Sequence, residues 1–253
     1  MTLTQLTRKI ANKLGFNTIP YRAEEIYSAD VSASLIETYK KVKPYTMTSP
    51  ERVFALCEAV KYIHEKNIEG DIVECGVWKG GSMMAVAETL LTSGDTSRNL
   101  YLFDTFEGMA PPTDKDVDIA GVTAESLLEQ SDKMKDDSVW CRATLEMVKS
   151  AVNSVGYPGE KTHFVKGMVE QTIPRNAPDK IALLRLDTDW YESTKHEMEH
   201  LFPRLAKGGV LIIDDYGHWQ GARKAVDEYF EKNNVTILLN RIDYTGRIAV
   251  KVE

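Results

Sequence analysis

The sequence predicts an α/β fold, a doubly wound and mostly parallel sheet with an antiparallel C-terminal hairpin and a helical N-terminal extension. Three observations predict it. From residue 71 onward, short apolar runs alternate with amphipathic ones, the pattern of parallel strands joined by crossover helices. Runs such as YLF and VLII are continuous rather than alternating, as strands covered on both faces require. The chemically unusual residues gather where these runs end, and ligands of such sheets bind beyond the carboxyl ends of the strands.

Residues 1–49 read as the extension, a lid with helices over 3–14 (LTQLTRKIANKL) and 32–42 (SASLIETYKKV); residues 50–253 read as the sheet domain. The stretch TSPERVFALCEAVKYIHEKN is a helix capped by Thr48 or Ser49, with Pro50 in its first turn and Phe54, Leu56, Val60 and Ile63 as its apolar stripe. DIVECGV is the first strand, SMMAVAETLLTS a helix and NLYLFDTF the second strand. A polar segment with PPTDKDVD follows, read as a lid or simple loop because its acids lack the spacing and glycine of a calcium loop. A helix is expected over 138–156, then strands THFVKG and IALLRLDTD. STKHEMEHLFPRLA reads as a helix despite Pro203, GVLIIDDY as the fifth strand and GARKAVDEYFEKN as the last helix. VTILLNRI and GRIAVKV close the chain as a hairpin.

Composition narrows the class. The 253 residues are 43% hydrophobic and 27% charged, and the net charge of −7 argues against a nucleic-acid partner. No apolar run nears the ~18 residues of a membrane span, and no secretory signal is evident. Three scattered cysteines without a CxxC pair suit a reduced, cytoplasmic protein. The amphipathic N-terminal helix is the basis for expecting a homodimer or higher homo-oligomer.

The first strand ends VECGVWKGGS. Gly76, Gly80 and Gly81 permit a tight turn and close approach of a ligand, and Ser82 can start the next helix. Glu74, inside an apolar strand, needs a cationic or hydrogen-bonding partner. A pyrophosphate would be repelled by it and an ammonium attracted, and GxGxxG is absent, so a nicotinamide dinucleotide is disfavoured. The second strand ends in Asp104, placed to accept both hydroxyls of an adenosine ribose. The fourth strand ends in Asp187 and Asp189, the fifth in Asp214 and Asp215. If these strands are neighbours their carboxylates converge, and an oxygen-preferring divalent cation, Mg2+, held by Asp187, Asp214 and Asp215 relieves the repulsion. A capping role would explain any one aspartate but not the set. His196 and His200 lack the HExxH arrangement and read as a helix face. Trp78, Trp190, Tyr191 and Trp219 follow strand ends and suit either a pocket wall or the core.

In order, VECGVWKGGS, LFDTFEGM, RLDTDWYEST and GGVLIIDDY resemble the macrocin O-methyltransferase family over roughly residues 45 to 250. The resemblance implies a Rossmann-like class I methyltransferase that uses S-adenosylmethionine and methylates sugar hydroxyls of natural products. It implies cofactor contacts at Glu74, Gly76 and Asp104 and, within the same motifs, at Val77, Trp78, Gly80, Ser82, Thr105 and Phe106. It also implies Asp187, Asp214 and Asp215 as metal ligands, Asp189 as base, and Tyr45 and Met47 of YTMTSPER as substrate-pocket residues. The expected partner is a small hydroxylated acceptor, a deoxysugar or other diol. A catechol, phenol or peptide hydroxyl is the alternative, with a nicotinamide oxidoreductase and a non-catalytic binding protein behind it.

Overall fold

After residue 70 the apolar runs become five parallel strands in the computed structural model, which describes residues 27–135 and 138–253. The chain divides into Met1–Ser32 and Ala33–Glu253. Of the first unit, residues 27–32 contain a turn in which the Val31 N–H donates to the Ser28 carbonyl at 3.1 Å. The helix expected over 3–14, and the oligomer expectation resting on it, lie outside the described residues. The second unit already includes residues 33–49, which the sequence had assigned to an extension ending at residue 49.

In that unit, helix α1 (Ala33–Val42) leads through a 3-10 turn to α2 (Pro50–Glu65). Ser49 caps α2 by accepting the Arg52 N–H at 3.3 Å, and Pro50 supplies a first-turn residue with no N–H to satisfy. Its buried stripe is Val53, Leu56, Cys57, Val60 and Ile63, while Phe54 lies half-buried edge-on to Tyr39. Next come β1 (Asp71–Cys75), α3 (Gly81–Thr92) and β2 (Leu100–Asp104). Helices α4 (Ala124–Glu129) and α5 (Leu145–Asn153) precede β3 (Thr162–Lys166), and the single-turn α6 (Val169–Thr172) precedes β4 (Ile181–Leu186). Helix α7 (Tyr191–His200), β5 (Leu205–Ile213), α8 (Gln220–Lys232), β6 (Asn240–Arg241) and β7 (Arg247–Val250) complete the order.

The sheet runs β3-β2-β1-β4-β5-β7-β6, with β1 to β5 parallel and β7 antiparallel to both its neighbours. All six residues of β4 are buried, as a central strand covered on both faces requires. Below the sheet, Val73, Phe103, Leu184, Leu186 and Leu211 pack with Met198, Leu201 and Val226 of α7 and α8.

Several boundaries differ from the sequence reading. The helix expected over 138–156 begins only at Leu145, because Cys141 adopts a left-handed φ of 46° and Thr144 caps the Met147 N–H. Helix α4, capped by Thr123, sits inside what read as polar loop. Helix α7 ends at His200, and Leu205 already belongs to β5. Pro203, lacking an N–H, stands in a 3-10 turn between them. Only Asn240 and Arg241 of the VTILLNRI run pair as strand, and Leu238 is left exposed. Among the described residues no helix is long and apolar enough to cross a membrane.

Candidate functional site

Adjacent parallel strands in register deliver their ends to one place. Cys75 of β1 pairs with Leu186 of β4, and Leu186 with Ile213 of β5, so Gly76, Asp187 and Asp214 emerge side by side. Together with the end of β2 they border a cavity of about 370 Å³.

The side expected to meet the cofactor is built on two turns. Gly76 has φ 81°, and a Cβ there would lie 2.0 Å from the Asp187 carbonyl, so only glycine lets β1 and β4 run this close. Asp104 ties the turns together: Oδ2 accepts the N–H groups of Val77 (2.6 Å) and Trp78 (3.1 Å), and Oδ1 that of Phe106 (2.6 Å). Val77, Trp78, Ser82, Asp104 and Thr105 line the cavity with Gly76. The buried Trp78 Nε1 has no hydrogen-bond partner. Three of the expected cofactor residues do not line it. A Cβ at Gly80 would meet Val152 of α5 at 2.8 Å, which makes it a packing position. Phe106 is buried, and Glu74 is occupied elsewhere.

Glu74 finds its cation inside the protein. Arg185, 3% exposed near the C-terminal end of β4, donates from Nη1 to Glu74 Oε1 (2.6 Å) and Asp187 Oδ2 (2.7 Å). Its Nη2 donates to Asp214 Oδ1 (2.6 Å) and Thr48 Oγ1 (3.2 Å). Arg52 of α2 approaches Asp214 Oδ2 from the other side and lies 3.0 Å from Asp243. Burial still pushes the Glu74 carboxyl up to about 7 against the pull of Arg185.

Asp187, Asp214 and Asp215 each present a carboxylate oxygen within 4.8 Å of the other two. An octahedral ion with oxygen bonds of about 2.1 Å spaces its ligands roughly 3–4.2 Å apart, so small rotations would close these three around one. Asp215 Oδ2 is buried without a partner, and the donor set is all oxygen, which fits Mg2+. Two arginines, Arg185 and Arg52, stand among five carboxylates here (Glu74, Asp187, Asp189, Asp214 and Asp215), which would carry an excess of negative charge if all were ionised. Burial, with mutual repulsion added, drives Asp187 and Asp215 well above the usual carboxylate range. Asp189 has a left-handed φ of 66° that turns it toward this group, and burial raises it to about 7.

Tyr45 and Met47 line the same cavity, and the Tyr45 carbonyl lies where a Cβ on Gly81 would stand, 2.6 Å away. The sequence reading missed Thr48, Arg52, Cys141, Glu170, His218, Tyr244 and Thr245 on the lining. Arg185 alone carried a signal, a single charge within the apolar run IALLRL. Other expectations resolve into packing. Trp190 and Trp219 form an edge-to-face pair at 4.9 Å in the core and Tyr191 is buried, leaving Trp78 as the pocket-wall tryptophan among them. His196 meets the Ile173 carbonyl through Nε2 at 3.1 Å, with the His200 ring tilted against it at 4.3 Å. In the DKDVD run Asp116 is fully buried and accepts the Tyr191 N–H (2.7 Å) and the Thr113 N–H (2.7 Å), which pins the segment to α7.

Comparison with known proteins identifies the family and its fold. The family model described as "Macrocin-O-methyltransferase (TylF)" matches residues 23–250. The 8-demethyl-8-(2,3-dimethoxy-alpha-L-rhamnosyl)-tetracenomycin-C 4'-O-methyltransferase of Streptomyces olivaceus is 33% identical over 203 residues, 80% of this chain and 74% of that one. Mycinamicin III 3''-O-methyltransferase of Micromonospora griseorubida is 29% identical over 202 residues, 80% and 76% of the two chains. The structure of the O-methyltransferase NovP superposes with a TM-score of 0.72 at 28% identity, covering 83% of each chain.

Proposed function

The chain belongs to the macrocin O-methyltransferase family, and on that premise we propose that it methylates a sugar hydroxyl with Mg2+ held by Asp187, Asp214 and Asp215 and with Asp189 as general base. It is an O-methyltransferase, and the nicotinamide and non-catalytic readings fall away. The tetracenomycin relative carries a rhamnosyl group in its name, which favours a sugar or other natural-product diol over a phenol or peptide hydroxyl.

When bound, S-adenosylmethionine supplies an electrophilic methyl group and Mg2+ supplies Lewis acidity that makes an alcohol proton easier to remove. The chain's own residues do the rest. The Gly76 turn and Asp104 form the donor side, with Trp78 as a wall. Asp187, Asp214 and Asp215 would hold the ion on the neighbouring strand ends. Asp189, in the same cavity, takes the acceptor's proton, and its raised affinity for that proton makes it a better base than a solvated carboxylate. Residues 45–48 and 108–110 cover the cavity, and excluding water there strengthens every charge interaction within.

The observation that carries this reading is the convergence of three oxygen-donor carboxylates and a proton-avid aspartate in one cavity. Incubation with S-adenosylmethionine and a panel of deoxysugar glycosides and catechols, followed by mass spectrometry, tests it. Product should form on a glycoside, vanish after exhaustive chelation and return with Mg2+. Undiminished turnover by chelated, metal-free protein sinks the metal part of the proposal.

A further inference from the structure

We infer that Arg185 is a positioning residue, a buried fork that sets the directions of Asp187 and Asp214 by tying both to Glu74. The inference rests on the metal reading above and deepens it. Glu74, Arg185 and Ile212 are register partners on β1, β4 and β5, so the guanidinium starts at the centre of the three strands whose ends build the site. Its two terminal nitrogens reach one carboxylate from each strand or its extension: Glu74 at 2.6 Å, Asp187 at 2.7 Å and Asp214 at 2.6 Å. A planar guanidinium donates in fixed directions, so these contacts orient the carboxylates as well as neutralise them. Arg185 thus holds Asp187 through Oδ2 and Asp214 through Oδ1, while Arg52 meets the other oxygen of Asp214.

Charge and position make opposite predictions. As a plain counter-charge, Arg185 repels a divalent cation, and removing it would tighten Mg2+ binding. As a positioning residue it prepares the ligands, and losing it loosens binding. A lysine keeps the charge but loses the fork. Groups that orient metal ligands typically change metal affinity by about 10–100-fold when removed.

Isothermal titration of Mg2+ into the wild type and Arg185→Lys, each with a melting curve to establish folding, tests the inference. The lysine variant should bind Mg2+ about tenfold or more weakly; unchanged or tighter binding overturns the inference. Leu184→Ala, a truncation on the opposite face of β4, should lower the melting temperature without moving Mg2+ affinity. An equal loosening there overturns it as well. Should Arg185→Lys not fold, the double variant Glu74→Gln/Arg185→Met, which neutralises Glu74, leaves Arg52 on Asp214 and removes the guanidinium from Asp187, is read by the same rule. A wild type that takes up no Mg2+ removes the metal reading and this inference together, before any variant is compared.

Discussion

Asp189 shows how one residue's conformation and surroundings become chemistry. Its left-handed backbone turns the side chain into the cavity, and burial beside Asp187 and Asp214 raises its pKa to about 7. Asparagine keeps the shape and the left-handed tolerance but cannot take a proton. Asp189→Asn should therefore lower kcat by about 10²–10⁴-fold while leaving the dissociation constant for S-adenosylhomocysteine within about threefold. Full turnover in that variant, measured with the preferred glycoside, would end its role as base. At this scale the acidic residues were legible, because carboxylates that finish apolar strands have no cheap structural explanation. Arg185 was visible as a charge in β4, yet its partners were not, since they depend on which strands are neighbours. Arg52 left no mark at all: an arginine in the first turn of an amphipathic helix is unremarkable until that helix is docked.

At the scale of elements, the segment from Thr113 to Ala124 is held by a single buried carboxylate. Asp116 accepts hydrogen bonds from its own turn and from the first N–H of α7, and a Cβ on Gly221 would come within 2.2 Å of its Oδ1. Asp116→Ala removes the acceptor at a helix start, a loss of about 1–2 kcal/mol. It should raise amide exchange across residues 113–124; unaltered exchange there would count against a pinned segment. This arrangement was unreadable from the sequence, where DKDVD read as a lid or simple loop. The strands were readable because two-sided burial demands unbroken apolar runs. Helix ends were less so: the helix expected from residue 138 starts at Leu145, since Thr144 offers a cap and Cys141 a break that composition does not reveal.

For the whole molecule, the acidic cluster links stability to pH. Burial raises Glu74 and Asp189 to about 7 from ordinary values of 4.5 and 3.8, and Asp187, Asp215 and the buried Glu197 also rise well above theirs. Each group holds its proton more tightly folded than unfolded. The resulting stability is fully present below about pH 4 and is lost as pH climbs through the folded values, near 7 for Glu74 and Asp189. Asp95 and Asp243 shift downward, so their contribution changes only in more acidic solution. Scanning calorimetry of metal-free protein should give a lower Tm at pH 8 than at pH 5.5, with Mg2+ recovering part of the difference at pH 8. A flat profile between those two pH values would contradict it.

The placement of β7 has one more consequence. Arg247–Val250 inserts between β5 and β6, and the residues just before it bring Tyr244 and Thr245 to the cavity, where the Thr245 hydroxyl donates to the Asp214 carbonyl at 2.7 Å. A protein emerging from the ribosome N-terminus first would display the Gly76 and Asp104 turns early but could not complete this side of the cavity until that late strand had left the exit tunnel. Termination just before Tyr244 would leave that side of the cavity open and β5 without its antiparallel neighbour.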